Sequence, residues 1–176
     1  IFLTNISLSK ADDLQKIIIN GNDRISDETV LIFSDAKLGE KITNNKLNLI
    51  LKNLYDTNFF TNVSVNYEND ILNIYVTEAP IIDKVEFSGI KAEKIKKALT
   101  DIIKLKSRSS YNDYLVSNDR DLILLYLKKI GYYFANVETI VQNLDNNLVK
   151  LDHIVKLGEK AKIKKITFIG NKIFKD

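Results

Sequence analysis

Apolar and polar residues alternate from Lys16 to Gly21, with Ile17 and Ile19 on one face, which predicts a short strand that Gly21 stops. Ser26 ahead of Asp27 and Glu28 is an N-cap followed by acids suited to the positive end of a helix dipole. A first helix is expected from there to about Ser34, with Val30 and Phe33 inward. Thr43 is the expected cap of a second helix, in which Leu47, Ile50, Leu51 and Leu54 recur at i, i+3, i+4 and i+7 as one apolar stripe. Asn58 can end that helix in the left-handed conformation. Val63, Val65 and Tyr67 then alternate with polar residues, Asn69-Asp70 reads as a hairpin turn, and Leu72, Ile74 and Val76 alternate again. The order is strand, helix, helix, strand, strand.

The opening of this unit occurs three times. Lys16-Ile17-Ile18-Ile19-Asn20-Gly21-Asn22 returns as Lys84-Val85-Glu86-Phe87-Ser88-Gly89-Ile90 and as Lys165-Ile166-Thr167-Phe168-Ile169-Gly170-Asn171. The spacing is that of small domains, too long for a solenoid repeat. In the second unit Ile95, Ala98, Leu99, Ile102 and Ile103 form the first helical stripe, and Leu115, Leu122, Leu125 and Tyr126 the second. Gly131 stands where the first unit has Asn58, Phe134-Ala135-Asn136-Val137 echoes Phe60-Thr61-Asn62-Val63, and Asp145-Asn146-Asn147 is the hairpin turn before Val149, Leu151 and Val155. The expected division is an N-terminal extension at 1–12, modules at 13–80 and 81–159, and the first strand of a truncated third module at 160–176. Pro80, the only proline, marks the first junction.

These elements give an α+β fold of tandem β-α-α-β-β modules. Each has two antiparallel helices on one face of a three-stranded mixed sheet, its strands ordered 2-3-1. With the third strand central, the second is an edge whose backbone N–H and C=O groups are unpaired. Such an edge must be short, covered, charged or used, and accepting a strand from another polypeptide is one use. The candidate binding residues are therefore Asn62, Val63, Ser64, Val65, Asn66 and Tyr67 in the first module, and Asn136, Val137, Glu138, Thr139, Ile140 and Val141 in the second.

Composition narrows the chemistry. The 176 residues are 45% hydrophobic and 28% charged, which suits globular domains and argues against disorder. Lys and Arg (26) nearly balance Asp and Glu (23), giving a net charge of +3, with no concentrated basic face or Gly-x-x-Gly loop to suggest nucleic acid. No cysteine is present, and His153, the only histidine, falls on the inward face of the last strand, so no metal site or cofactor is expected. The acid pair Asp119 and Asp121 lies beside no nucleophile and reads as solvated helix surface, and Ser107–Ser110 with Arg108 reads as a polar loop. No catalytic residue is expected. The densest basic stretch, Lys160 to Lys165, reads as a solvated strand face.

The strand ending in Gly-Asn, the run Leu54-Tyr55-Asp56-Thr57-Asn58-Phe59-Phe60-Thr61-Asn62-Val63 and the close Val76-Thr77-Glu78-Ala79-Pro80 resemble a POTRA domain of the BamA family. Tyr126 to Val137 carries the same resemblance with Gly131-Tyr132-Tyr133, and Ile163 to Phe174 resembles a third POTRA opening. The resemblance implies the periplasmic portion of a bacterial outer-membrane protein, an assembly factor whose own C-terminal membrane barrel is absent from this chain. It implies as partners accessory periplasmic lipoproteins and unfolded outer-membrane β-barrel precursors, held partly by strand addition. A TamA-like or two-partner-secretion transporter is the alternative within this class. The third opening disfavours the two-partner type, which usually carries two such modules. Small nucleic-acid-binding α+β modules are the alternative of another class.

Overall fold

The structure is a computed structural model that describes residues 13–163 and 165–167. The chain divides into two compact units, the first ending at Ile81 and including Ser110–Asn112, the second holding Ile82–Ser109 and the residues from Asp113 onward.

In the first unit β1 (Lys16–Asn20) leads through α1 (Asp27–Ser34) and α2 (Asn44–Asp56) to the hairpin β2 (Phe60–Glu68) and β3 (Ile71–Glu78). The sheet order is β1-β3-β2, with β1 parallel and β2 antiparallel to the central β3. Local chemistry accounts for the joints. The Ser26 hydroxyl accepts from the Thr29 N–H at 3.3 Å and the Thr43 hydroxyl from the Lys46 N–H at 3.2 Å, each satisfying a donor that the first helical turn leaves open. Asn58 takes φ 58°, as its position after α2 predicts. Asn69 and Asp70, at φ 50° and 62°, form a two-residue turn whose positive angles match the twist of the flanking strands. The core gathers Leu14, Val30, Ile50, Leu54, Val63, Leu72, Ile74 and Val76 between the helices and one sheet face. Phe33 departs from expectation: it is 41% exposed and rests edge-on against Phe59 at 5.6 Å. An eight-residue helix presents a narrow face, and Val30 and Ser34, four residues apart, take it.

The second unit repeats the plan with β4 (Ile81–Ser88), α3 (Glu93–Ile102), α4 (Asp113–Lys129), β5 (Asn136–Leu144) and β6 (Leu148–Lys156), in sheet order β4-β6-β5. Leu99, Ile103, Ile123, Leu127, Val137 and Val155 centre its core. The stripe expected for α4 is displaced. Leu125 is 66% exposed, and the buried positions are Asp119, Ile123 and Leu127, again four residues apart. Leu122 to Leu127 is apolar throughout, so its own pattern does not single out a face. Asp119 is a correction as well. It is fully buried, and its carboxylate accepts from the Lys104 N–H at 2.6 Å and the Leu105 N–H at 2.8 Å, donors freed where α3 ends.

The N-terminal extension expected at 1–12 lies outside the described residues, as does most of the third opening, Lys164 and 168–176. Ile163 and 165–167 carry no strand.

Candidate strand-binding edges

All twelve residues expected to bind a strand lie on end strands, Asn62 to Tyr67 on β2 and Asn136 to Val141 on β5. The direction of their backbone groups follows from two glycines. A Cβ on Gly21, which follows β1, would stand 2.0 Å from the Val76 carbonyl oxygen, so the main chain of Val76 faces β1. Val76 pairs with Val63 in an antiparallel register, and in such a pair residues that do not exchange hydrogen bonds alternate with residues that do. Val63 therefore turns its N–H and C=O away from the sheet, and so, two and four residues on, do Val65 and Tyr67. Asn62, Ser64 and Asn66 point theirs at β3.

The same construction holds in the second unit. A Cβ on Gly89 would stand 2.1 Å from the Val155 carbonyl oxygen, and Val155 pairs with Val137. The outward backbone belongs to Val137, Thr139 and Val141, while Asn136, Glu138 and Ile140 bond β6. The twelve candidates thus separate into six whose backbone groups point away from the sheet and six whose groups point at its central strand.

Side chains follow the opposite logic. Val63 and Val137 bury theirs under the helices, while Ile140 and Val141, at 48% and 36% exposed, leave apolar surface along β5. Beside that strand a groove of about 390 Å³ is lined by Val116, Ser117 and Arg120 of α4 and by Asn136 to Thr139. Beside β2 the arrangement differs. The Tyr55 hydroxyl of α2 accepts the Val63 N–H at 3.0 Å, and its single proton faces the Asn62 Oδ1 at 3.2 Å and the Val63 carbonyl at 3.4 Å. Tyr55 carries no local signal for this contact, because only the fold brings its phenol to a strand residue eight positions on.

Two further groups organise the units. Glu78 at the end of β3 is buried and accepts from the backbone N–H of Arg24 and Ile25 at 2.7 and 2.8 Å and from the Arg24 Nε at 2.7 Å. Burial pushes its carboxyl up, yet those donors and the guanidinium charge prevail and hold it below the usual carboxylate range. His153 in β6 is fully buried, stacks on Phe87 at 5.2 Å and shares a 2.8 Å hydrogen bond between Nδ1 and the Thr139 hydroxyl. Its Nε2 meets no hydrogen-bond partner among the described residues, and burial holds the imidazole below its ordinary value. Among the described residues no group of three or more His, Asp or Glu is arranged to hold a metal ion.

The POTRA family, described as a surface antigen variable number repeat, matches residues 13–79 and 80–158. The chain is 25% identical over 166 residues to the outer membrane protein assembly factor BamA of Neorickettsia risticii, covering 94% of this chain and 22% of that protein. It is 29% identical over 166 residues to the BamA of Neisseria meningitidis serogroup B, covering 93% of this chain and 21% of the relative. It thus spans about a fifth of the length of these curated relatives. Among solved structures, the N-terminal domain of Omp85 from Thermosynechococcus elongatus superposes with a TM-score of 0.56 at 15% identity, over 80% of this chain and 61% of that one, which speaks for the fold. With two matched repeats, each containing one strand-helix-helix-hairpin unit, the chain belongs to the POTRA family.

Proposed function

We propose that this chain is the POTRA region of a BamA-like outer-membrane β-barrel assembly factor, lying on the periplasmic side as a scaffold for accessory lipoproteins and a transient holder of unfolded barrel precursors. The names of the curated relatives support the assembly role, and the tandem fold suits a scaffold. The reading includes a membrane barrel of the same protein, C-terminal to these modules. No helix among the described residues is long and apolar enough to cross a membrane.

One observation carries the holding step: each sheet is edged by a strand of nine residues in which alternate residues turn their main-chain donors and acceptors away from the sheet. Every polypeptide offers the complementary groups, so capture by such a rim is tolerant of sequence and readily reversed. Titration with an unfolded barrel-derived peptide, followed through the backbone amides, tests it. Strand addition shifts amides along 62–67 or 136–142. Shifts confined to the helices refute it.

A further inference from the structure

The two rims are chemically unequal. Val63 and Val137 are equivalent positions: each is buried, each pairs with the valine whose carbonyl meets the glycine that follows the module's first strand, and each turns its own backbone outward. At Val63 that backbone is engaged by the Tyr55 hydroxyl. At Val137 the groove lined by Arg120 and Ser117 opens instead. The residues of α4 that precede Val137 by eight and nine positions are Lys129 and Lys128, both exposed. A charged ammonium has no lone pair with which to accept a backbone N–H.

We propose that the Tyr55 hydroxyl is a latch on the outward backbone of Val63, and that it directs strand addition to β5 of the second unit. This rests on the reading of the rims as strand-binding edges and adds which rim is used. An incoming strand on β2 needs the donor and acceptor of Val63 for its ladder, and must displace the phenol first. On β5 no hydrogen bond from another of the described residues engages the outward backbone of Val137, and the incoming strand finds the exposed side chains of Ile140 and Val141 to pack against. The partner is an extended polypeptide segment, recognised through its main chain and through alternating apolar side chains. The latch also protects the first unit, because an edge with one central residue already bonded is a poorer template for unwanted pairing.

The test uses the whole chain and its Tyr55→Phe variant, which keeps the ring and removes the hydroxyl. Amide hydrogen exchange is read first. Val63 exchanges more slowly than Val65 in the wild type, and Tyr55→Phe accelerates Val63 by about threefold to tenfold, the range of one net hydrogen bond. Ile50 and Leu54 amides, unchanged between the two, establish that α2 is intact. A short peptide of alternating valine and threonine carrying a nitroxide is then added. In the wild type it broadens amides of 136–142 in preference to 62–67, and in Tyr55→Phe the broadening extends to 62–67. Equal Val63 exchange in both proteins overturns the latch whatever the peptide does. Faster Val63 exchange with broadening still restricted to β5 overturns its role in choosing the rim. Absence of broadening at both edges in both proteins refutes strand addition, and the choice of rim with it.

Discussion

His153 sits in the inward column of β6, where its neighbours are Leu151 and Val155, and it is the one buried side chain in that column that can acquire a charge. The groups acting on it from the packed elements are Asp152 on its own strand, Asp119 on α4, Thr139 on β5 and the Phe87 ring on β4. Burial is the largest influence and favours the neutral ring, against the opposing pull of the Asp119 and Asp152 carboxylates. A folded value below the ordinary 6.5 means that the unfolded chain takes up the proton first. The contribution to stability is therefore complete above that pH and is lost as pH falls through the folded value. Melting of the second unit at about pH 7.5 and about pH 5 checks this. The wild type loses stability across that interval, and His153→Phe, which cannot titrate, loses less. Glu78 works in the acid range with the same sign. Its folded value lies below the ordinary 4.5, so its contribution is present above that pH and disappears as the carboxylate is protonated. Replacing it by Gln leaves the Arg24 and Ile25 donors facing a weaker acceptor, with an expected cost of about 1–3 kcal/mol in chemical denaturation of the first unit. Glu86, half-buried between Lys150 and Lys84 and held down to about 2 chiefly by its bond from Lys150, stays ionised across the interval in which His153 titrates.

At the scale of the elements, the repeated glycine explains why the sequence announces its modules so clearly. Gly21 and Gly89 take φ +88° and +83° and stand where a Cβ would overlap the carbonyl oxygen of Val76 or Val155. The backbone neighbour cannot yield as a side-chain tip could, so Gly21→Ala and Gly89→Ala are each expected to destabilise their own unit by at least ~2 kcal/mol, read from denaturant midpoints. Strand order, caps and turns were legible for this reason: Ser26, Thr43, Asn58 and Asn69-Asp70 act through backbone geometry within a few residues. What was illegible acts across the fold. The Leu122–Leu127 run does not reveal which face is covered, Asp119 is recognised only once the end of α3 is beside it, and the phenol of Tyr55 reads as surface until β2 passes. The edge strands were legible as elements, whereas the division of their residues into outward and inward backbone needed the register. That division has its own test. Ser64 uses its N–H within the sheet and Val65 does not, so Ser64→Pro is expected to cost about 1 kcal/mol more than Val65→Pro in denaturant unfolding. Equal costs would contradict the assigned register.

For the whole molecule, the decisive fact is that each unit closes its own core. The cluster around Ile50, Leu54 and Ile74 shares no residue with that around Leu99, Ile123 and Leu127, and each is built from one pair of helices and one three-stranded sheet. A unit of this size buries a smaller share of its surface than a large domain, so the loss of one large core side chain is a substantial fraction of its stability. Leu54→Ala removes a side chain with no exposed surface from the centre of the first core, and the expected cost is about 2–5 kcal/mol. If stability is held module by module, amides of β2 and β3 lose protection against hydrogen exchange in this variant while those of β5 and β6 keep most of theirs. Uniform loss across both sheets would instead require one cooperative core, which the separate clusters do not provide. Modular stability suits the function proposed above: a rim that admitted or released an extended chain would loosen at the expense of its own unit alone.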